Sequence, residues 1–245
     1  MAGTHSEPQR PGHPTEVDEA VKTALNVFAR DGFEAARLQD LSAESGMSKR
    51  MLHYHFGDKN GLYRAAFELA IRQLTPPPEV LSRTYAVPVE GMRRFIDALF
   101  HRFLQHPAAV RLVLKENLDP ALPHGDASKV PELSDTTLHI ERLLLLGQDS
   151  GAFRPDVSAD DILLMLCSLC ALRASQAHTA LGLTRVDLST QRNTEGMRRM
   201  TIDTVLAFLT SNIPPSGYGS YVEPTAAPLP VDDTDDVYDF DVDIY

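Results

Sequence analysis

Residues 38–56, LQDLSAESGMSKRMLHYHF, constrain the fold of this chain more than any other stretch. They read as two short helices joined by a glycine turn. Leu38 and Leu41 are spaced to face inward from the first helix, Met47 falls in the turn, and Leu52 and Phe56 share one side of the second. Gly46 stands where the first helix must stop and the chain must swing by about 90–120°, and glycine enters the left-handed region there without steric cost. Ser48 is placed to cap the next helix. On that helix Lys49, Arg50, Met51, His53 and Tyr54 are left outward, with His55 close behind and Lys59 on the following turn. An ordinary surface helix would also present charges, but here turn, cap, apolar spacing and exposed donors agree on a helix-turn-helix that reads DNA.

These residues carry a family resemblance. From about Thr15 to Leu74 the chain resembles the DNA-binding domain of the TetR family of bacterial transcriptional regulators. ALNVFARDGF is similar to its first helix and glycine stop, and GMSKRMLHYHFGDKNGLY to its turn, recognition helix and the start of its fourth helix. The resemblance implies an all-α protein. A three-helix, homeodomain-like helix-turn-helix unit would occupy residues 15–75, with the motif at 37–56, and a larger helical effector-binding and dimerisation domain residues 76–213. It also implies a homodimer on a palindromic double-stranded operator, released by a small molecule that shifts the fourth helix. Arg37, Gln39, Ser48, Lys49, Arg50, Met51, His53, Tyr54, His55 and Lys59 are then the DNA-binding set, with Lys49, Arg50, Met51 and His53 toward bases and Ser48, Tyr54, His55 and Lys59 toward phosphates.

Three positions depart from the family pattern. Ala36 stands where a threonine commonly caps the second helix, so Arg37 or water must serve its first amides. Arg50 replaces a small residue and His53 a tyrosine, both on the presumed groove face. An arginine there suits a bidentate guanine contact, and an imidazole replaces the phenol donor. The operator sequence therefore does not transfer from a relative.

The net charge of −11 looks unsuited to a nucleic-acid binder until its distribution is considered. Eight acidic residues and no Lys or Arg follow residue 213, which leaves −3 for residues 1–213. Between Met47 and Arg64, Lys49, Arg50, Lys59 and Arg64 stand against Asp58, a local +3 suited to a compact phosphate footprint. No stretch approaches 18 uncharged apolar residues, and residues 1–14 lack the apolar core of a secretion signal, so the reading is a cytoplasmic protein, not a membrane one, with a short disordered arm.

Beyond the motif the chain reads helix after helix, with no strand pattern. Apolar spacing predicts helices over 15–30 and 58–74, then, after Pro76, Pro77 and Pro78, over 89–105, 107–118, 131–147, 159–183 and 189–212. For the effector, Phe95, Leu99, Phe103 and Met165 are candidate apolar lining and His101, Arg111, Asn117, His139 and Arg173 candidate orienting groups, each also readable as core or surface. For the dimer, Leu166, Leu169, Cys170, Met197, Met200, Val205 and Phe208 on the last two long helices are candidates, with intrachain core as the competing reading for each. Cys167 and Cys170 read as buried small hydrophobes, too few for a disulfide framework, and the histidines show no metal-ligand spacing. Neither a cofactor nor a catalytic constellation is called for. Residues 214–245 read as an acidic disordered tail, either solubilising or competing with DNA for the basic helix. An activator, or a helical interaction module that uses this tail, remains the alternative.

Overall fold

A computed structural model of the chain describes residues 14–123, 131–214 and 217–223. The arm before residue 14 and the acidic residues after 223 lie outside the described residues. Ten helices follow one another: α1 (Pro14–Asp31), α2 (Leu38–Ser45), α3 (Lys49–Phe56), α4 (Lys59–Leu74), α5 (Pro78–Leu81), α6 (Pro88–Gln105), α7 (Pro107–Leu118), α8 (Pro131–Asp149), α9 (Ala159–Thr184) and α10 (Gln191–Leu209). Among the described residues there is no strand.

Local chemistry sets most of the boundaries. Gly32, Gly46 and Gly57 leave α1, α2 and α3 with positive φ, and proline occupies the first turn of α5, α6 and α7, where its missing N–H has no helical partner to lose. The proline run that reads as a plain stop also starts a helix. Pro76 and Pro77 end α4's direction, and Pro78 opens the single turn of α5. Ser158 and Asp161 close a capping box at the start of α9.

Two apolar clusters fill the interior. The first takes Ala24 and Phe28 of α1, Leu41 of α2, Leu52 of α3 and Leu62 and Ala66 of α4, and also Ala109, Val110 and Leu112 of α7. The second joins Phe95 and Ile96 of α6, Ile140 and Leu143 of α8, Ile162 and Leu166 of α9 and Val205 of α10. Phe103 packs against both. Tyr63 ties α4 to α7: its ring meets Phe28 and Phe33 edge-on at 4.9 and 5.0 Å, and its hydroxyl donates to Glu116 at 2.7 Å. α9 is long and apolar enough, by length and composition alone, to cross a bilayer. Here it packs against α6, α7, α8 and α10.

The dimer candidates need correction. Leu166, Cys170, Met197 and Val205 are buried inside the protomer, because α9 and α10 turn those faces toward α6 and α8. Leu169 and Phe208 are half-buried, and Met200 alone of the set is openly exposed.

Part of the stretch read as an acidic disordered tail is placed in the fold. Residues 217–223 fold back as a strap. Asp161 accepts the N–H groups of Tyr221 and Val222 at 3.0 and 2.9 Å, in addition to its capping-box bond from Ser158. Buried Arg154 lies 5.1 Å from the Phe208 ring and 5.6 Å from the Tyr221 ring, and its Nη1 donates to the Tyr221 hydroxyl at 2.9 Å. The Arg154 backbone N–H donates to the Leu209 carbonyl, so the strap, the α8–α9 loop and the end of α10 form one knot.

Burial would push the Asp161 carboxyl up, but the N–H groups of Ser158, Tyr221 and Val222 outweigh it and hold it below the usual carboxylate range. A carboxylate so lowered contributes stability that is complete above its unfolded pKa, about 4, and is lost as pH falls through the lower native value. Denaturation midpoints of wild type and Asp161→Asn should therefore differ at neutral pH and converge in acid. A gap that stays constant with pH would exclude the carboxylate as the strap's anchor.

Candidate nucleic-acid interface and adjoining cavity

The turn between α2 and α3 is wired by serines. Ser42 Oγ donates to the Met47 carbonyl at 2.8 Å, Ser45 Oγ donates to the Leu41 carbonyl at 2.6 Å, and the Met47 N–H returns to Ser45 Oγ at 3.3 Å. Gly46 takes φ 71° between them. Arg30 braces the outside of α2 through Glu44 at 2.9 Å. Ser48 then caps α3, its hydroxyl accepting the Met51 N–H at 3.3 Å. The cap of α2 falls on Arg37, not on Ala36, which is buried one residue earlier. No side chain serves its first amides.

α3 buries Leu52 and leaves Lys49, Arg50, His53 and Tyr54 exposed, Tyr54 at 72 %. Arg37, Gln39 and Ser48 are exposed beside them. Three members of the sequence-derived set sit differently. Met51 is half-buried and packs against the first core. His55 is half-buried, with Nε2 enclosed and without a hydrogen-bond partner, so that nitrogen does not face outward as a phosphate donor must. Lys59 holds α4 to the α1–α2 loop, its ammonium 4.3 Å from the Phe33 ring and 3.4 Å from the Glu34 carbonyl.

The helix that carries this face is locked to α4. Asp58 caps α4 by accepting the Gly61 N–H at 2.8 Å. A Cβ at Gly61 would run into the Phe56 carbonyl, the last residue of α3, so the two helices meet closer than any side chain permits. At its other end α4 is held by Arg102 of α6, whose Nε donates to the Thr75 carbonyl at 3.0 Å.

That same end of α4 borders a cavity of about 320 Å³. Ile71, Leu74 and Thr75 form one wall, Leu99 and Phe103 of α6 another, and Val110, Val113, Leu114 and Asn117 of α7 a third. Leu133 and Thr136 of α8 and Leu163, Leu164, Cys167, Ser168 and Ala171 of α9 complete it. Of the nine sequence candidates, Leu99, Phe103 and Asn117 line it. Arg111 and Arg173 instead line a smaller space of about 230 Å³ against Phe103 and Cys170. Phe95 is wholly buried and Met165 half-buried in the second core, and His101 is exposed with Nδ1 2.8 Å from the Asp97 carbonyl. His139 is a structural link: Nδ1 lies 2.7 Å from the Leu81 carbonyl, and burial lowers its pKa, so it donates there as a neutral ring. The α4 wall and the apolar residues of the α7 wall were missed because they are indistinguishable from core until the helices are paired in space. Burial pushes the Cys167 thiol up to about 11 and Cys170 to about 12, which leaves both protonated at neutral pH. No three His, Cys, Asp or Glu among the described residues could hold a metal ion together.

Residues 20–66 match the family model described as bacterial regulatory proteins, tetR family, and residues 88–205 match the tetracyclin repressor-like C-terminal domain. The HTH-type transcriptional repressor NicS of Pseudomonas putida is 28% identical over 173 residues, 70% of this chain and 82% of its own. In fold, the chain is similar to the TetR family regulator PfmR of Thermus thermophilus (TM-score 0.58, 23% identity, 76% of this chain and 96% of that one). It is also similar to AibR, solved with isovaleryl coenzyme A and operator DNA (TM-score 0.56, 16% identity, 80% and 98%).

Two substitutions separate cap from junction. Ser48→Ala should lower stability by about 0.5–2 kcal/mol, the usual loss for an N-cap. Gly61→Ala should exceed the about 0.5–3 kcal/mol typical of point changes, because the atom in the way is backbone. Urea denaturation compares them, and equal losses would mean that the α3–α4 junction opens without resistance.

Proposed function

Because the chain belongs to the TetR family of bacterial regulatory proteins, we propose that it is a homodimeric cytoplasmic repressor whose paired α3 helices read a palindromic operator and let go when a small molecule enters the cavity beside α4. The observation that carries this reading is the division of labour on α3. Its inner residues build the core and the turn, while Lys49, Arg50, His53 and Tyr54 are exposed and have no structural duty. Lys49, Arg50 and His53 reach base edges, and Ser48, Tyr54, Arg37 and Gln39 fix the helix on phosphates. Lys59 keeps its place against Phe33 and adds positive charge to the same surface.

Two recognition helices must lie about 34–36 Å apart to engage successive half-sites. The open faces of α9 and α10, where Met200 is half exposed, supply the dimer contact. Release follows the path of α4. A ligand between α4 and α7 displaces Leu74 and Ile71, α4 moves as one rod against its Arg102 tether, and the close contact of Gly61 with Phe56 carries that movement into α3. The spacing of the two α3 helices changes and both half-sites can no longer be held together.

Fluorescence anisotropy on the duplex upstream of the protein's own gene tests the DNA face. Arg50→Ala should weaken binding by at least about tenfold and relax preference at one base pair, in line with about 1–3 kcal/mol for a bidentate contact. Lys49→Ala should weaken all sequences alike and flatten the salt dependence. Unchanged affinity and preference in Arg50→Ala would place the groove face elsewhere. Met200→Glu should shift the protein to a monomer in light scattering and abolish cooperative operator binding. A variant that remains dimeric would remove Met200 from the contact.

A further inference from the structure

The cavity beside α4 has a chemical character that sets it apart from its neighbour. Every described residue lining it is uncharged. Its polar groups are Thr75, Thr136, Asn117, Ser168 and the Cys167 thiol, and two of these already spend a donor internally: Thr75 Oγ1 on the Ile71 carbonyl at 2.9 Å, Ser168 Oγ on the Leu164 carbonyl at 2.9 Å. Two charges next to lining residues in sequence are committed outside it. Arg102 holds the Thr75 carbonyl, and the Glu116 carboxylate receives the Tyr63 hydroxyl and the N–H groups of Ala121 and Leu122. A charged group brought between α4 and α7 would lose its water and meet no counter-ion among the described residues of the lining. The smaller space on the other side of Phe103 has the opposite character, with Arg111 and Arg173 in its wall.

We infer that the molecule this cavity takes is uncharged and mainly apolar, with hydrogen-bonding capacity for one or two neutral groups at most. Its volume is at the small end of the about 300–1,000 Å³ spread of ligand sites, which suits a compact ring system or a short branched chain. The inference rests on the reading of this cavity as the effector site. An acyl-coenzyme A, of the kind bound to AibR, carries phosphates that these walls have no means to neutralise.

A matched pair of fluorescent probes isolates charge. N-phenyl-1-naphthylamine and 1-anilinonaphthalene-8-sulfonate share a skeleton and differ by one sulfonate. Titrated into the full-length protein, the neutral probe should bind at least tenfold more tightly. Val113→Phe and Ala171→Phe, which fill the cavity from α7 and α9, should each weaken it at least tenfold while far-UV dichroism and elution volume stay unchanged. Equal or tighter binding of the sulfonate, no binding of the neutral probe, or neutral binding that survives both variants would overturn the inference. Sulfonate binding lost in Arg111→Gln would assign the ligand to the arginine-lined space instead. A parallel operator titration separates this from the reading it rests on. Neutral-probe binding with the expected preference, but operator affinity unmoved by the probe and by both filled variants, would leave the cavity's chemistry as inferred and remove its part in release. Release by the sulfonate alone would remove the chemistry and keep an effector response.

Discussion

Tyr63 is held on three sides, and the seating of α7 on the first core depends on it. Its ring is wedged between Phe28 and Phe33, and its hydroxyl reaches Glu116, whose carboxylate also receives two N–H groups beyond the end of α7. Burial and the neighbouring carboxylate both raise the phenol's pKa, so it stays a donor at every physiological pH. The contact fixes α7 onto α4, and through α4 onto the helix-turn-helix. Had Tyr63 faced solvent, α7 would lose this hydrogen bond and be set on α1 and α4 mainly by apolar packing, which fixes register less sharply.

The parts of the fold that were legible in the sequence are those decided within a few residues. Gly46, Ser48, Asp58 and Gly32 act on their own helix ends, and α1, α3 and α4 appear where these residues put them. Even locally the reading erred by one position where two candidates adjoin: Arg37, not Ala36, is the cap of α2, because Ala36 is drawn into the core. The exposed face of α3 was legible for the same reason. Its residues are outward because Leu52 and Phe56 are inward, a relation set by helical periodicity alone.

What the sequence could not supply is which face meets which. Leu166, Cys170, Met197 and Val205 have the spacing of an interface, yet α6 and α8 cover them. Phe95 has the spacing of a pocket residue and is core, while Val110 and Leu114 border the cavity without any signal that distinguishes them from core. His139 looked like a ligand group because a lone imidazole on an apolar helix gives no hint of a carbonyl that lies 58 positions away. Each of these depends on pairing between distant helices, and periodicity reports only that a face is apolar, not what it faces.

The strap that pins Tyr221 to Asp161 and Arg154 also fixes a root for everything that follows it. Seven of the chain's acidic side chains lie in the 22 residues after Glu223. Whatever shape those residues take, a chain of that length keeps its charge within about 80 Å of the start of α9. The negative charge is therefore a local concentration set by covalent connection. It acts on the chain's own surfaces to the same extent in a crowded cell and in a dilute assay, so dilution cannot remove it, while added salt can.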